Sequence, residues 1–378
     1  MDIQEIEKQF EQRFGYKGGV CFAAPGRINL IGEHTDYNGG FVFPGAVQQC
    51  IMACVCPNKT RKVRAYALDL DGFFEFTIDN PEGPKTTHWR YLFGVVREMM
   101  ARGVEITGFD AVYAGNVPLG AGMSSSAALE SCFATALNEL FGGGLDRMTL
   151  ARVGQDTEHK YVGVKCGIMD QFISMHGKVG SLVRLDCRSG EYEYFPWDPI
   201  GYRLVLVNSC VKHILVGSPY NDRRESCERV AERAGVETLR ECSRERLEAL
   251  RPILDPTDYR RAHYVLGEEA RVMAVSEALK RGDYREVGRQ MYLTHEGLSK
   301  DYEVSCEEMD FLVEEARRCG VTGSRIMGGG FGGCTINLVS EELYDAFVAE
   351  VAANYKQRFD RECKIIPVVI GDGARRVN

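Results

Sequence analysis

Three glycine-bearing segments and two separate acids hold the residue types that could do chemistry. The most informative segment is 115–126, GNVPLGAGMSSS. It follows a predicted strand and enters a predicted helix. Free backbone N–H groups and the positive end of a helix dipole therefore face the loop, as an anion would require. Gly120 and Gly122 let the backbone approach a phosphate where a Cβ would obstruct. Ser124, Ser125 and Ser126 can cap the helix, bind phosphate or ligate Mg²⁺. A tight turn with a serine N-cap accounts for the same residues, and spacing alone leaves both readings open. The segment is not a Walker A loop, because no G-K-[ST] follows, and its spacing is not that of a dinucleotide fingerprint. The catalytic-loop and D-F-G signatures of protein kinases are absent.

The second segment is 25–40, PGRINLIGEHTDYNGG. An apolar strand ends in a loop carrying Arg27, Asn29, Glu33, His34, Asp36, Tyr37 and Asn38. Carboxylates and imidazole can satisfy several hydroxyls of a polyhydroxylated ligand, and Arg27 can grip an anion with two N–H groups. A polar surface turn is the plain alternative. The third segment, MGGGFGG at 327–333, has too many glycines for helix or strand. It is either a tight turn or a backbone wall against a ligand or the first loop. Of the two acids, Glu158 falls on a predicted helix and Asp170 among apolar residues. Each suits a structural hydrogen bond, a metal ligand or a general base. His34 and His213 lack the i+4 partner of a zinc site.

These residues need elements to position them. Ile3, Ile6, Phe10 and Phe14 lie on one face of an N-terminal helix. From about 20 to 115 the pattern is of strands (VCFAA, INLI, IMACVC, KVRAYALD, FFEFTI, FDAVYAG), with one helix near 91–102. Helices are predicted over 125–141 and 149–161, then strands at 181–186 and 203–208. Helices near 221–234, 258–281, 283–294, 306–319 and 341–356 follow, with the strand CTINLV between the last two. The run 221–234, NDRRESCERVAERA, reads as a solvated helix face. Clustered rather than alternating strands and helices predict an α+β fold with a boundary around 175–200.

The chain has 378 residues, enough for two or three domains with ample cores. Its net charge of −8 argues against non-specific binding to nucleic acid or anionic membrane. The 14 cysteines form no C-x-x-C pair, and Cys50, Cys54 and Cys56 read as buried thiols rather than metal ligands. With no signal-peptide core and no apolar run near the ~18 residues of a membrane span, a reducing cytoplasm is expected.

In this order and at these separations, the three segments resemble those of the GHMP small-molecule kinases. GRINLIGEHTDYNGG is similar to the galactokinase signature. The agreement continues through GNVPLGAGMSSSAALE, CGIMDQF, VNSCVKHILVGSPYNDRRESC, YEVSCEEMDFLV and MGGGFGGC, covering essentially the whole chain. The resemblance implies two lobes with the active site in the cleft. An N-terminal lobe (1–178) would resemble ribosomal protein S5 domain 2, and a C-terminal lobe (179–364) would be ferredoxin-like, with residues ~365–378 returning to the first lobe. It implies ATP-dependent phosphorylation of the C1 hydroxyl of α-D-galactose, the committed step of the Leloir pathway. Glu33, His34, Thr35 and Asp36 would line the sugar site, with Gly167 contributing backbone and Tyr220 closing it. Gly120, Ala121, Gly122, Met123, Ser124, Ser125 and Ser126 would wrap the ATP phosphates, and Ser126 and Glu158 would hold Mg²⁺. Asp170 would be the acid–base residue and Arg27 its partner. Ala67 and Trp89 would touch the nucleotide. Met123 stands where many relatives have Leu, a change of packing only. The implied partners are galactose and MgATP, with no nucleic acid or membrane, and the chain is expected to be monomeric rather than homodimeric. Asn38, Gly39 and Gly40 fit the ordinary signature, which favours galactose over N-acetylgalactosamine. A non-catalytic sensor would have damaged the serine loop, Glu158 or Asp170, and all are intact.

Overall fold

The computed structural model describes residues 2–211 and 219–378. His213 lies outside the described residues. Helix α1 (Ile3–Phe14) is followed by β1 (Val20–Asn29), β2 (Phe41–Val42), β3 (Pro44–Pro57), β4 (Lys62–Ala67) and β5 (Gly72–Thr77). Next come α2 (Thr87–Ala101), β6 (Phe109–Gly115), α3 (Ser125–Leu140), α4 (Arg147–Thr157) and α5 (Met169–His176). The second half holds β7 (Ser181–Asp186), β8 (Tyr192–Pro196), β9 (Tyr202–Asn208), α6 (Pro219–Ala234), α7 (Arg244–Leu250), α8 (Pro256–Lys280), α9 (Tyr284–Lys300) and α10 (Glu307–Arg318). It ends with β10 (Gly323–Ile326), β11 (Cys334–Ser340), α11 (Tyr344–Phe359), β12 (Lys364–Pro367) and β13 (Arg375–Arg376).

The first sheet has the order β13-β1-β3-β6-β4-β5, the second β10-β11-β9-β12, and a third joins β2-β7-β8. Strands clustered in this way make the fold α+β, as the sequence pattern implies. The segments VCFAA and INLI, expected as two strands, form the single strand β1. Its register against β3 shifts between Pro25 and Arg27. An irregularity of this kind bends the strand and re-aims the side chain beside it, here Arg27. Every β1 residue after Val20 is buried, because α3 and α5 cover one face. β7 and β8 stand beyond residue 178, yet β7 pairs with β2, and β8 continues that sheet on its other side. β12 stays in the second sheet beside β9, and the chain then crosses back so that β13 pairs with β1.

Two expected helices differ in detail. The helix expected to reach Tyr161 stops at Thr157 and widens into a π-helical turn over Glu158–Val162, ended by Gly163 in the left-handed region. Such turns redirect a side chain without breaking the helix and recur at functional sites, and this one buries Glu158. The second difference is a correction. Helix α6 is solvated on one face only: Asp222, Glu225, Glu228 and Glu232 are exposed, whereas Tyr220, Arg223, Ser226 and Cys227 are buried. The Arg223 guanidinium donates to the carbonyls of Tyr302 (2.9 Å) and Glu303 (2.6 Å). Its charge is thus shared between these carbonyls and the Asp222 carboxylate at 3.0 Å, which charge patterning alone does not reveal.

One apolar cluster runs from Phe22 and Ile31 beside the first sheet to Val272, Met291 and Ile336 in the second half. The two lobes therefore share packed side chains, and the loop after β1 lies where they meet.

Candidate active site

Asp170 is the second residue of α5, so its carboxylate sits in the first turn, where a helix dipole favours negative charge. Arg27 of β1 donates from Nε to Oδ1 (2.8 Å) and from Nη2 to Oδ2 (3.1 Å). This is the two-pronged geometry that guanidinium favours with a carboxylate. Nη1 donates to the Gly122 carbonyl, and the backbone N–H of Arg27 donates to the Met123 carbonyl (3.1 Å). Arg27 therefore ties Asp170 to the serine loop. The Arg27 side chain is 4% exposed and that of Asp170 is 28% exposed, so the carboxylate is the more open of the pair, although both line the cleft.

Ser124 corrects the N-cap reading of the serine loop. It sits at φ 57°, ψ 56° and makes no capping hydrogen bond. Its hydroxyl donates instead to Asp170 Oδ2. A non-glycine residue in this region is strained, and such strain gathers at functional sites.

The cleft around Asp170 has a volume of about 630 Å³, within the usual size for a small-molecule site. At one end are Glu33, His34, Asp36 and Tyr220. Gly167 lines the same end, and a Cβ there would stand 2.1 Å from the Asp36 carboxyl carbon, so only glycine allows the approach. Burial pushes the Asp36 carboxyl up to about 7, and the nearby Asp170 charge adds to the rise. His34 Nδ1 pairs with Tyr37 Oη at 2.8 Å, and its ring packs against those of Tyr302 (4.8 Å) and Tyr220 (5.4 Å). Thr35 is the exception among the expected sugar-site residues. It is fully buried, and its hydroxyl bonds the carbonyls of Gly32 and Phe41 (3.0 and 2.7 Å). It shapes the loop and does not line the cleft.

In the middle of the cleft lie Gly120, Gly122, Met123 and all three serines. Ala121, between the two glycines, is fully buried, and its side chain takes no part in the cleft wall. The third glycine segment packs backbone on backbone against this loop. A Cβ on Gly122 would lie 3.0 Å from the Met327 carbonyl oxygen, and one on Gly328 would lie 3.1 Å from that of Gly122. Gly328 and Gly329 also line the cleft. The segment is thus a wall for both the loop and its contents, and the turn reading is too narrow.

Glu158 is buried beside Ser126. Its carboxyl is pushed up to about 7 by burial, an effect opposed by a hydrogen bond from Ser126 and reinforced by the Asp170 charge. Glu130, one turn beyond Ser126 on α3, is pushed well up by burial and by Glu158. Its Oε2 accepts from Gln171 Nε2 at 3.1 Å, and Oε1 has no partner among the described residues. Buried carboxylates with no cation among them are what a divalent ion would relieve. Among the described residues no three His, Cys, Asp or Glu side chains could hold a metal by themselves. Mg²⁺ commonly takes one or two protein ligands and fills its shell with phosphate and water. Ser126 and Glu158 fit that pattern.

The far end is lined by Ala67, Asp69, His88, Tyr91 and Tyr113. Trp89, expected at the nucleotide, does not line the cleft itself; it stacks on Phe74 at 4.9 Å and packs edge-on against His88 at 5.0 Å. Its neighbour His88 faces the cleft and pairs with Tyr113 Oη at 2.6 Å. Sequence reading missed Arg325, a fully buried arginine whose Nη2 meets Glu33 Oε1 at 3.1 Å. It missed Glu268 as well, a fully buried acid behind the same loop. Neither lies in a motif, and only the fold brings them to Glu33.

Comparison with known proteins bears on the whole chain. Residues 8–57 match the model described as the galactokinase galactose-binding signature. Residues 90–178 match the GHMP kinases N terminal domain, and 275–357 the GHMP kinases C terminal. A curated galactokinase of Fusobacterium nucleatum is 38% identical over 99% of this chain and 100% of its own. The galactokinase of Homo sapiens is 41% identical over 93% and 92%. The solved structure of Lactococcus lactis galactokinase complexed with galactose superposes with a TM-score of 0.95 at 33% identity, covering 99% of this chain and 100% of that one. A mevalonate kinase structure at 16% identity and TM-score 0.67 shares the fold.

Proposed function

The chain belongs to the galactokinase family of the GHMP kinases, and from that membership we propose how its cleft moves the γ-phosphoryl of ATP to the C1 hydroxyl of α-D-galactose. One observation carries the reading. The Asp170 carboxylate, held by Arg27 and Ser124, opens into the same cleft as an acidic loop on one side and a serine-tipped loop on the other.

Glu33 and Asp36 accept hydrogen bonds from the sugar hydroxyls, while His34 and Tyr220 fix the ring. The backbone from Gly120 to Ser126, at the positive end of α3, cradles the triphosphate. Ser126 and Glu158 would hold Mg²⁺, which when bound neutralises phosphate charge as the leaving group departs. Asp170 orients the C1 hydroxyl and accepts its proton. A loose transition state puts little demand on the attacking oxygen early on, so the proton moves late. Arg27 also stabilises charge on the moving group. The products are α-D-galactose 1-phosphate and ADP. A cytoplasmic location completes the reading. It is supported by cysteines that are all free thiols, and no helix among the described residues is long and apolar enough to cross a membrane.

A coupled ADP-release assay over galactose, N-acetylgalactosamine and glucose tests this directly. Release with galactose alone is expected, and absence of turnover with galactose rejects the reading. In calorimetry, Glu33→Ala and Asp36→Ala should each weaken galactose binding by about 10–100-fold, the value of a charged hydrogen bond. Unchanged affinity in both removes the sugar-site assignment.

The raised Asp36 carboxyl adds a pH dependence. If sugar hydroxyls donate to its ionised form, galactose binding without nucleotide strengthens as pH rises through about 7. Affinity at pH 6 should be about tenfold weaker than at pH 8, and Asp36→Asn should flatten the profile. Stability runs the other way. A carboxyl lifted from 3.8 to about 7 on folding makes the fold less stable as pH climbs between those values. Weak binding at pH 6 therefore cannot be blamed on melting of this group.

A further inference from the structure

Glu33 is gripped by the second lobe on every side but one. Tyr264 and Glu268 are four apart on α8 and so face the same way. Tyr264 Oη donates to the Glu33 carbonyl at 3.0 Å. Glu268 Oε1 accepts the backbone N–H of Gly32 (2.8 Å) and of Glu33 itself (3.2 Å). Glu268 Oε2 accepts from Thr294 Oγ1 and Arg271 Nε, both at 2.7 Å. From β10, Arg325 donates to the Leu30 carbonyl (2.9 Å) and to Glu33 Oε1 (3.1 Å). Asn29 Nδ2 also donates to Oε1, at 3.0 Å. Glu33 Oε1 thus has two donors, whereas Oε2 has no hydrogen-bond partner among the described residues, and Glu33 lines the cleft.

The charges balance in pairs. Glu33 faces Arg325 and Glu268 faces Arg271, and both acids and Arg325 are almost wholly buried. Two buried carboxylates meeting at one short stretch of loop, Glu33 within it and Glu268 reaching it from α8, would repel each other without these guanidinium groups. With them, the Glu33 side chain is left one orientation, with Oε2 directed at the cleft. Rigid support of this kind is what holds a binding group to within a fraction of an ångström.

We propose that Tyr264, Glu268 and Arg325 are positioning residues for the sugar: through them the second lobe aims Glu33 Oε2 and so sets galactose affinity. The proposal rests on the reading of Glu33 as a sugar contact. Its mildest test is Tyr264→Phe, which removes one hydroxyl from a packed ring. Galactose KM and calorimetric Kd should rise about 5–10-fold, with ATP KM and kcat at saturating galactose within twofold of the parent. Glu268→Gln should raise both galactose constants about 10–100-fold. A residue that merely supports the fold would lower kcat or active fraction without this split. In a Glu33→Ala background Tyr264→Phe should add nothing, because coupled residues are not additive. Galactose affinity within twofold of the parent in Tyr264→Phe, with Glu33→Ala still impaired, overturns the proposal and leaves the sugar site standing. Unimpaired Glu33→Ala removes both. If Glu268→Gln fails to fold, Tyr264→Phe decides alone.

Discussion

Asp170→Asn is expected to cut turnover by about 10²–10⁴-fold or more, the range for loss of a general base, while the fold and ATP binding survive. The amide has the carboxylate's shape, so its oxygen can still accept from Arg27 Nε, now 2.8 Å from Oδ1. The amide nitrogen, however, meets donors where Oδ2 now accepts from Arg27 Nη2 and Ser124 Oγ. Ser124 can rotate and accept, but the guanidinium cannot. Arg27 is left with an unneutralised charge at a nearly closed position, and a polyphosphate is a natural partner for it. Nucleotide affinity should therefore be equal to or tighter than the parent's, even as the proton loses its acceptor. Coupled ADP release and nucleotide calorimetry on the same preparation check both halves. Near-normal turnover takes Asp170 out of the reaction.

Arg27→Lys should have the second largest effect, about 10²-fold in kcat with ATP affinity within a few-fold. Lysine keeps the charge but presents it as a point. Arginine here serves Asp170 through two nitrogens and the Gly122 carbonyl through the third. An ammonium can reach some of these acceptors but cannot hold all in one plane, so the serine loop and the carboxylate lose their common anchor. Steady-state kcat together with nucleotide titration measures this. Turnover near the parent's would mean that charge alone matters and that the fork is incidental.

The parts of the site that could be read from sequence are those whose residue types are odd for their surroundings. Five glycines in seven positions, three successive serines at a helix start and an acid in an apolar run each need a reason. The parts that could not be read depend on distance and on rotation about an element. Arg325 and Glu33 are 292 positions apart, and Tyr264 and Glu33 are 231 apart. On their own helix or strand, these are ordinary residues. Trp89 and His88 show the effect of rotation: one step around α2 decides which ring faces the cleft. Thr35 sits between two cleft residues and still faces inward, because its hydroxyl is needed by two carbonyls of its own loop. The fold class was legible because strands and helices come in blocks. The continuity of β1 through Pro25 was not, since proline and glycine usually mark a break.

β1 carries Arg27 and lies between β3 and β13. Its Cys21 N–H donates to Asn378 Oδ1 across 357 positions of sequence. On the ribosome, β1 emerges early and meets β3 soon after, but this part of its other edge stays bare until residues 375–376 have been made. Between the making of β3 and of β13, more than 300 residues apart, the nascent polypeptide thus displays an unpaired, apolar edge that other chains could join. Chaperone capture and the pace of elongation, rather than the strength of the finished fold, should therefore govern how much of each synthesis run ends as usable enzyme.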